Sequence, residues 1–144
     1  MKTYSNKANI VAIIQARMLS TRLPGKVMLD VSGKPILIRM IDRLSKSRLC
    51  SSIVVATTTN SIDDIIVQTC IDNKVKYYRG HPANLLERHF NCAKRYKADI
   101  ILKIPSGCPL IDYKLVDNSI KLFLDKNADY VSNIHKHNYP DGQD

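Results

Sequence analysis

No apolar run in this 144-residue chain approaches the ~20 residues that a membrane-spanning helix needs. The opening residues, Met1-Lys2-Thr3-Tyr4-Ser5-Asn6-Lys7, hold no apolar segment of the secretory type, so a cytoplasmic location is expected. The four cysteines (Cys50, Cys70, Cys92, Cys108) lie far apart, without the Cys-x-x-Cys pairs of zinc sites or the density of a disulfide framework. They read as reduced, partly buried small hydrophobes. Two phosphate-binding signatures are missing, since neither Gly-x-x-x-x-Gly-Lys-Ser/Thr nor Gly-x-Gly-x-x-Gly occurs after the first strand. No spacing supports a Ser-His-Asp or Cys-His arrangement, which leaves hydrolase chemistry without footing. His135 and His137 alternate in a loop with no nearby cysteine or third histidine, so no metal is expected there. His81 and His89 read as packing or surface residues. Arginine-rich runs, recognition-helix patterns and aromatic platforms are also absent. The formal charge of +9 therefore does not point to nucleic acid.

What is present is an ordinary globular composition, 44% hydrophobic and 24% charged, on a chain of one-domain length. Strand-like and helix-like segments alternate, which argues for a layered α/β domain with mainly parallel strands. Expected strands are Asn9–Gln15, Ser52–Thr57, Val75–Tyr78, Asp99–Ile104 and a short fifth at Tyr130–Ser132. A first helix is expected from about Pro35 to Ser47, with Ile36, Met40, Ile41 and Leu44 on its apolar face. Ser61 is the expected cap of a second, with Asp63 and Asp64 in its first turn and Ile62, Ile65, Ile66 and Thr69 facing the core. A third begins at Pro82 and buries Leu86, Phe90 and Ala93; a fourth runs from about Tyr113 to Lys126.

The most informative stretch joins the first strand to the first helix. An apolar run, Ile10 to Ile14, stops at a polar loop carrying Arg17, Ser20, Thr21, Arg22 and Lys26, which turns at Pro24-Gly25. A guanidinium grips phosphate oxygens bidentately, and lysine adds a point charge where negative charge builds up. Arg17, Arg22 and Lys26 are the only tight cluster among 22 basic residues, and a triphosphate is the matching partner. In open parallel sheets, ligands bind outside the carboxyl ends of the strands. That rule brings the 15–26 loop, Thr57-Thr58-Thr59, Arg79-Gly80 and Ser106-Gly107-Cys108 to one rim.

Ala16, Arg17, Ser20, Arg22, Pro24 and Lys26 match the pattern Ala-Arg-x-x-Ser-x-Arg-x-Pro-x-Lys. On this pattern the chain resembles the sugar-activating cytidylyltransferases, in particular those like the spore coat polysaccharide biosynthesis protein F. Acylneuraminate and deoxy-manno-octulosonate cytidylyltransferases are their relatives. Further echoes follow in family order: Val54-Val55-Ala56-Thr57, Tyr78-Arg79-Gly80, Leu86 with Arg88, Cys108-Pro109-Leu110-Ile111-Asp112, Asp129-Tyr130-Val131-Ser132-Asn133, and Tyr139 to Asp144. The resemblance implies a Rossmann-like, three-layer α/β nucleotidyltransferase fold of the glycosyltransferase-A type, mainly parallel. Because family members are considerably longer, this chain is expected to be the N-terminal part of one. Residues 1–8 then form a loose N-terminus, 9–133 the nucleotide-binding α/β domain, and 134–144 a loop leading into a second half.

The implied reaction is attack of a sugar hydroxyl on the α-phosphorus of CTP, releasing pyrophosphate and forming a CMP-sugar. Arg17 and Lys26 are the candidates for stabilising the developing charge, with Arg22 on the distal phosphates. Ser20, and less so Thr21, are candidate phosphate donors, and Ser106 is a further nucleotide contact. Gln15 and Ala16 are implied nucleotide contacts at the strand end. Thr57 and Arg79 are candidate base or ribose contacts. Arg88 is a weaker one, since a solvated helix face is the plainer reading. Asp112 reads as a helix cap, and Asp141 and Asp144 resemble a substrate-side segment.

Magnesium is expected for the family, but its usual metal-ligating aspartate is replaced by Gly107, and Leu19 stands where a small residue is usual. The metal site is therefore expected to be impaired, and no protein metal ligand is assigned. The partners implied are CTP and a sugar or sugar acid, with no nucleic acid and no membrane; a full-length form can be a homodimer. Two other readings stay open. One is a non-catalytic nucleotide-binding module; the other is a sugar nucleotidyltransferase using UTP or GTP.

Overall fold

The structure, a computed structural model, describes residues 8–134 and Pro140. Residues 1–7, His135, His137, Asp141 and Asp144 lie outside the described residues, and with them most of the expected terminal loops. In chain order, β1 (Ile10–Gln15) leads through a 3-10 turn (Lys26–Met28) into a small hairpin, β2 (Asp30–Val31) and β3 (Lys34–Pro35), and then α1 (Ile36–Leu44). Next come β4 (Ser52–Thr58), a second 3-10 turn (Ser61–Asp63), α2 (Asp64–Asp72) and β5 (Lys76–Gly80). The series ends with α3 (Leu85–Arg95), β6 (Ile100–Pro105) and α4 (Tyr113–Asp125). The four long strands form one parallel sheet in the order β5-β4-β1-β6.

β1 is central because its run Ile-Val-Ala-Ile-Ile is apolar on both faces, as a strand covered on both sides must be. Ile10, Ala12 and Ile14 pack on one face against Leu37, Met40 and Leu44 of α1, Ile66 and Cys70 of α2, and Val116 and Ile120 of α4. Val11, Ile13, Val54 and Ala56 pack on the other against Cys92 and Ala93 of α3. The result is a helix–sheet–helix sandwich. Each fully buried Val, Ile or Leu stabilises it by roughly 1.5–3 kcal/mol. Burial also raises the pKa of the Cys70 thiol to about 11 and of Cys92 to about 12, which fits cysteines that act as small hydrophobes.

Several sequence expectations are corrected. Tyr130–Ser132 is not a strand. Pro35 closes the hairpin and caps α1 from outside instead of opening its first turn. Ser61 makes no side-chain cap; it starts a 3-10 turn in which Ile62 is exposed, and in α2 Ile66 and Cys70 are buried whereas Ile65 is exposed. The third helix begins not at Pro82 but at Leu85, where the Asn84 side chain accepts from the Glu87 N–H. Its inward face is also rotated: Leu86 and Phe90 are 81% and 63% exposed, while Arg88, His89, Cys92 and Ala93 are buried. Asp112 caps α4 as expected, accepting from the Lys114 N–H at 2.7 Å.

The order of the sheet creates the site. From β1 the chain steps to β4 and β5 on one side, then returns to place β6 on the other side of β1. At such a reversal the loops leaving adjacent strands diverge and open a crevice at the carboxyl ends. Side-chain bonds also tie α1 and the turn after it to the segment that leads into and through α4. Arg43 of α1 donates to the carbonyls of Ile111 and Leu110, and Asp117 of α4 accepts from Ser47 Oγ and the N–H groups of Arg48 and Leu49.

The burial of His89 predicts a pH dependence of folding. Its Nδ1 meets the Leu85 carbonyl at 3.0 Å, and Nε2 is buried without a protein partner. Burial lowers its pKa below the ordinary 6.5, with Arg88 and Lys103 adding to that and the Leu85 carbonyl opposing it. The unfolded chain therefore binds the proton more readily, and stability falls as the pH drops below 6.5 toward the folded-state value. Melting temperature followed across that window should decline for the wild type, and His89→Gln should flatten the decline. An unchanged slope in the variant would remove His89 as the cause.

Candidate functional site

β1 ends at Gln15, and the loop that follows is pinned at intervals. The Ala16 N–H donates to the Ala56 carbonyl, the Gly25 N–H to the Met18 carbonyl at 2.8 Å, and the Met18 N–H to the Asp63 carboxylate at 2.7 Å. Gly25 sits at φ +69°, a left-handed conformation that suits glycine, and Val27 is buried just beyond it. Between these pins the polar residues face outward: Arg17, Thr21 and Arg22 are exposed, and Ser20 and Lys26 are half-buried.

Asp63 is the residue that sequence reasoning assigned to the wrong job. It is not a solvated helix-turn carboxylate but is 1% exposed, and it also accepts from the Thr58 hydroxyl at the end of β4. No local pattern signals this, because an aspartate two residues after Ser61 reads as an ordinary helix start.

The loop, the ends of β1 and β6 and the start of α3 enclose a cleft of about 740 Å³. Gln15, Ala16, Arg17, Ser20, Thr21, Arg22 and Lys26 form one wall. Pro105, Ser106, Gly107 and Cys108 form the second, and Pro82, Ala83, Leu85 and Arg88 the third. The strand register explains the meeting of the first two, since Gln15 pairs with Pro105. Among the described residues the lining holds four cations and no aspartate or glutamate. A Cβ built on Gly107 would lie 3.4 Å from Lys26 Nζ, so a side chain at 107 would stand in contact with the ammonium. A smaller depression of about 380 Å³ lies at the opposite, amino ends of the strands, beside Ser52 and Lys76.

Arg88 was read as the weaker candidate, on a solvated helix face. It is instead 4% exposed; Nη1 donates to the His81 carbonyl at 2.7 Å, and Nε is buried without a protein partner. Burial and the nearby Arg17 guanidinium lower its pKa, and Asp63 opposes them. Such an unsatisfied, charged group beside a cleft suits an anionic ligand. Gly80 permits this placement, because a Cβ there would come within 2.9 Å of Arg88 Cγ and 2.7 Å of a Tyr78 ring carbon. The Leu86–Arg88 echo was the available sequence signal. Gln15 Oε1 is a second buried polar atom without a protein partner in the same lining.

Of the sequence-predicted site residues, the fold thus gathers Gln15, Ala16, Arg17, Ser20, Arg22, Lys26 and Ser106. It leaves Thr57 and Arg79 outside the cleft lining. Thr57 is fully buried in β4, with its hydroxyl unpartnered. Arg79 turns away to donate to the Thr58 and Asn60 carbonyls and to pair with Asp64 at 2.6 Å. Both lie on strands that the sheet order puts beyond β1, on the side away from β6.

Residues 11–139 match the family model described as cytidylyltransferase. The chain belongs to the cytidylyltransferase family. It is 32% identical over 127 residues to the spore coat polysaccharide biosynthesis protein SpsF of Bacillus subtilis, covering 85% of this chain and 53% of that protein. It is 36% identical over 114 residues to the 3-deoxy-manno-octulosonate cytidylyltransferase of Geobacter sulfurreducens, covering 78% and 44%. A solved cytidylyltransferase from Leptospira borgpetersenii superposes with a TM-score of 0.80 at 40% identity, covering 84% and 51%. The chain therefore spans about half the length of the cytidylyltransferases it matches, and the nucleotidyltransferase fold expected from the resemblance is the one found. Among the described residues, no helix is long and apolar enough to cross a membrane, and no group of three metal-ligating side chains occurs.

The Asp63 tie yields a stability prediction. Asp63→Ala should cost about 2–3 kcal/mol in urea unfolding, because a buried Thr58 hydroxyl and the Met18 N–H lose a charged acceptor. Amide exchange at Met18 should accelerate more than exchange in α4. Equal acceleration at both would mean that the loop has no special dependence on Asp63.

Proposed function

We propose that the cleft binds a nucleoside triphosphate, CTP in preference to other bases, and that this chain supplies the nucleotide half of a sugar-activating cytidylyltransferase. The observation that carries this reading is a crevice at the sheet reversal lined by Arg17, Arg22, Lys26 and Arg88 with no described carboxylate. In the proposed reaction, a hydroxyl of a sugar or sugar acid attacks the α-phosphorus of CTP. The bond to the β-phosphate oxygen breaks, and pyrophosphate leaves as CMP-sugar forms. Negative charge moves onto the leaving group, so cations fixed before the reaction lower the barrier without reorganising.

In this reading Lys26 and Arg17 face the charge that develops during transfer, and Arg22 holds the outer phosphates. Ser20 and Ser106 donate to phosphate or ribose oxygens. Gln15, with an unpartnered Oε1, accepts from an N–H or O–H of the nucleotide. Thr57 and Arg79 are given structural work at the ends of β4 and β5. The names of the relatives support a surface-glycan role, in which the sugar would be of the kind they activate.

The acid-free lining also favours a second reading, nucleotide binding without turnover. The two separate in one set of measurements. CTP should raise the melting temperature, Arg17→Ala combined with Lys26→Ala should abolish the shift, and CTP should protect better than UTP or GTP. Greater protection by UTP or GTP would overturn the assignment to CTP. Pyrophosphate release on adding sugar acids, measured in a full-length form that includes the second half, would decide for the enzyme, and binding without release in that form for the module.

A further inference from the structure

The magnesium expected from the resemblance meets a donor set that does not suit it. Magnesium prefers carboxylate and phosphate oxygens in octahedral array. The cleft lining offers arginine, lysine, hydroxyl and backbone groups, but no described carboxylate. Asp63 acts on one lining cation, Arg88, but is buried and committed to the Met18 N–H and the Thr58 hydroxyl. Opposite the loop, the position that a ligating side chain would occupy is Gly107, and Lys26 Nζ stands 3.4 Å from where its Cβ would be. A divalent cation placed there would face an ammonium without any anionic ligand from the lining to offset the repulsion.

We propose that this cleft takes the triphosphate tail as the free anion, with the Lys26 ammonium in the place of a metal ion and magnesium not required for binding. The inference rests on the nucleotide-binding reading above and deepens it. The charges match in kind: four lining cations meet phosphates that each keep about one to two negative charges at neutral pH. Magnesium bound to the tail neutralises part of that charge and occupies oxygens that Arg17 and Lys26 would otherwise hold.

The test is calorimetric titration of the chain with CTP and with inorganic triphosphate, once in excess EDTA and once in excess magnesium. Both ligands should bind in EDTA, with affinity in magnesium equal or lower by up to roughly tenfold as tail charge is neutralised. Tighter binding in magnesium overturns the proposal while leaving the nucleotide-binding reading intact. Absence of CTP binding in both buffers sinks that reading as well. Gly107→Asp would set a carboxylate against Lys26, so binding in EDTA should weaken and magnesium should now strengthen it. Gly107→Ala adds volume without charge and should keep the wild-type metal response; a magnesium requirement in that variant would mean that packing, not charge, sets the response. The wild-type comparison stands even if the aspartate variant does not fold.

Discussion

The buried carboxylate of Asp63 connects the sheet to the loop on which the site depends. It accepts from the Met18 N–H and the Thr58 hydroxyl, so the chain leaving β1 is fastened to the end of the neighbouring strand β4. Exposed arginines and lysines carry large rotamer entropy, and they hold a ligand well only when their backbone is fixed. The same negative charge lies close enough to oppose the lowering of Arg88's pKa by burial and by Arg17. One side chain thus both anchors the loop at Met18 and opposes the cost of burying Arg88. The residues that would touch an anion need no acidic partner of their own within the cleft.

A second constraint is the return of the chain from β5 to β6. Had β6 extended the sheet beyond β5, Ser106 and Gly107 would lie three strands from Gln15 instead of beside it. The reversal makes neighbours of the two loops that matter and places Arg79, on β5, on the far side. This explains why Arg79 pairs with Asp64 and the β4 terminus instead of lining the cleft. It also explains how so short a chain forms a cleft of about 740 Å³: three separate segments converge on one strand end.

The helix between β5 and β6 shows where reasoning from pattern ran out. Leu86, Phe90 and Ala93 have helical spacing and the right chemistry for a buried face, yet the first two are largely exposed. The alternative face, Arg88, His89 and Cys92, is poorer in hydrophobicity but fits the surface it meets. Gly80 lets the Arg88 stem approach β5 closely, and small Cys92 and Ala93 pack onto Val11 and Ile13. Periodicity identifies that a helix has faces. It does not weigh the shape of the sheet that one of them must fit.

The sequence by itself determined the layered α/β class, the burial of the first strand and the identity of the cationic loop. Those features are local: an apolar run covered on both faces, a Pro-Gly turn, and basic residues within one short segment. Only the tertiary structure decided which distant residues join that loop. The burial of Arg88 and Asp63, the departure of Thr57 and Arg79 and the approach of Lys26 to Gly107 all follow from strand order and helix packing. Such contacts join positions far apart along the chain, and their free energies depend on which neighbour exclude water, something no local spacing records.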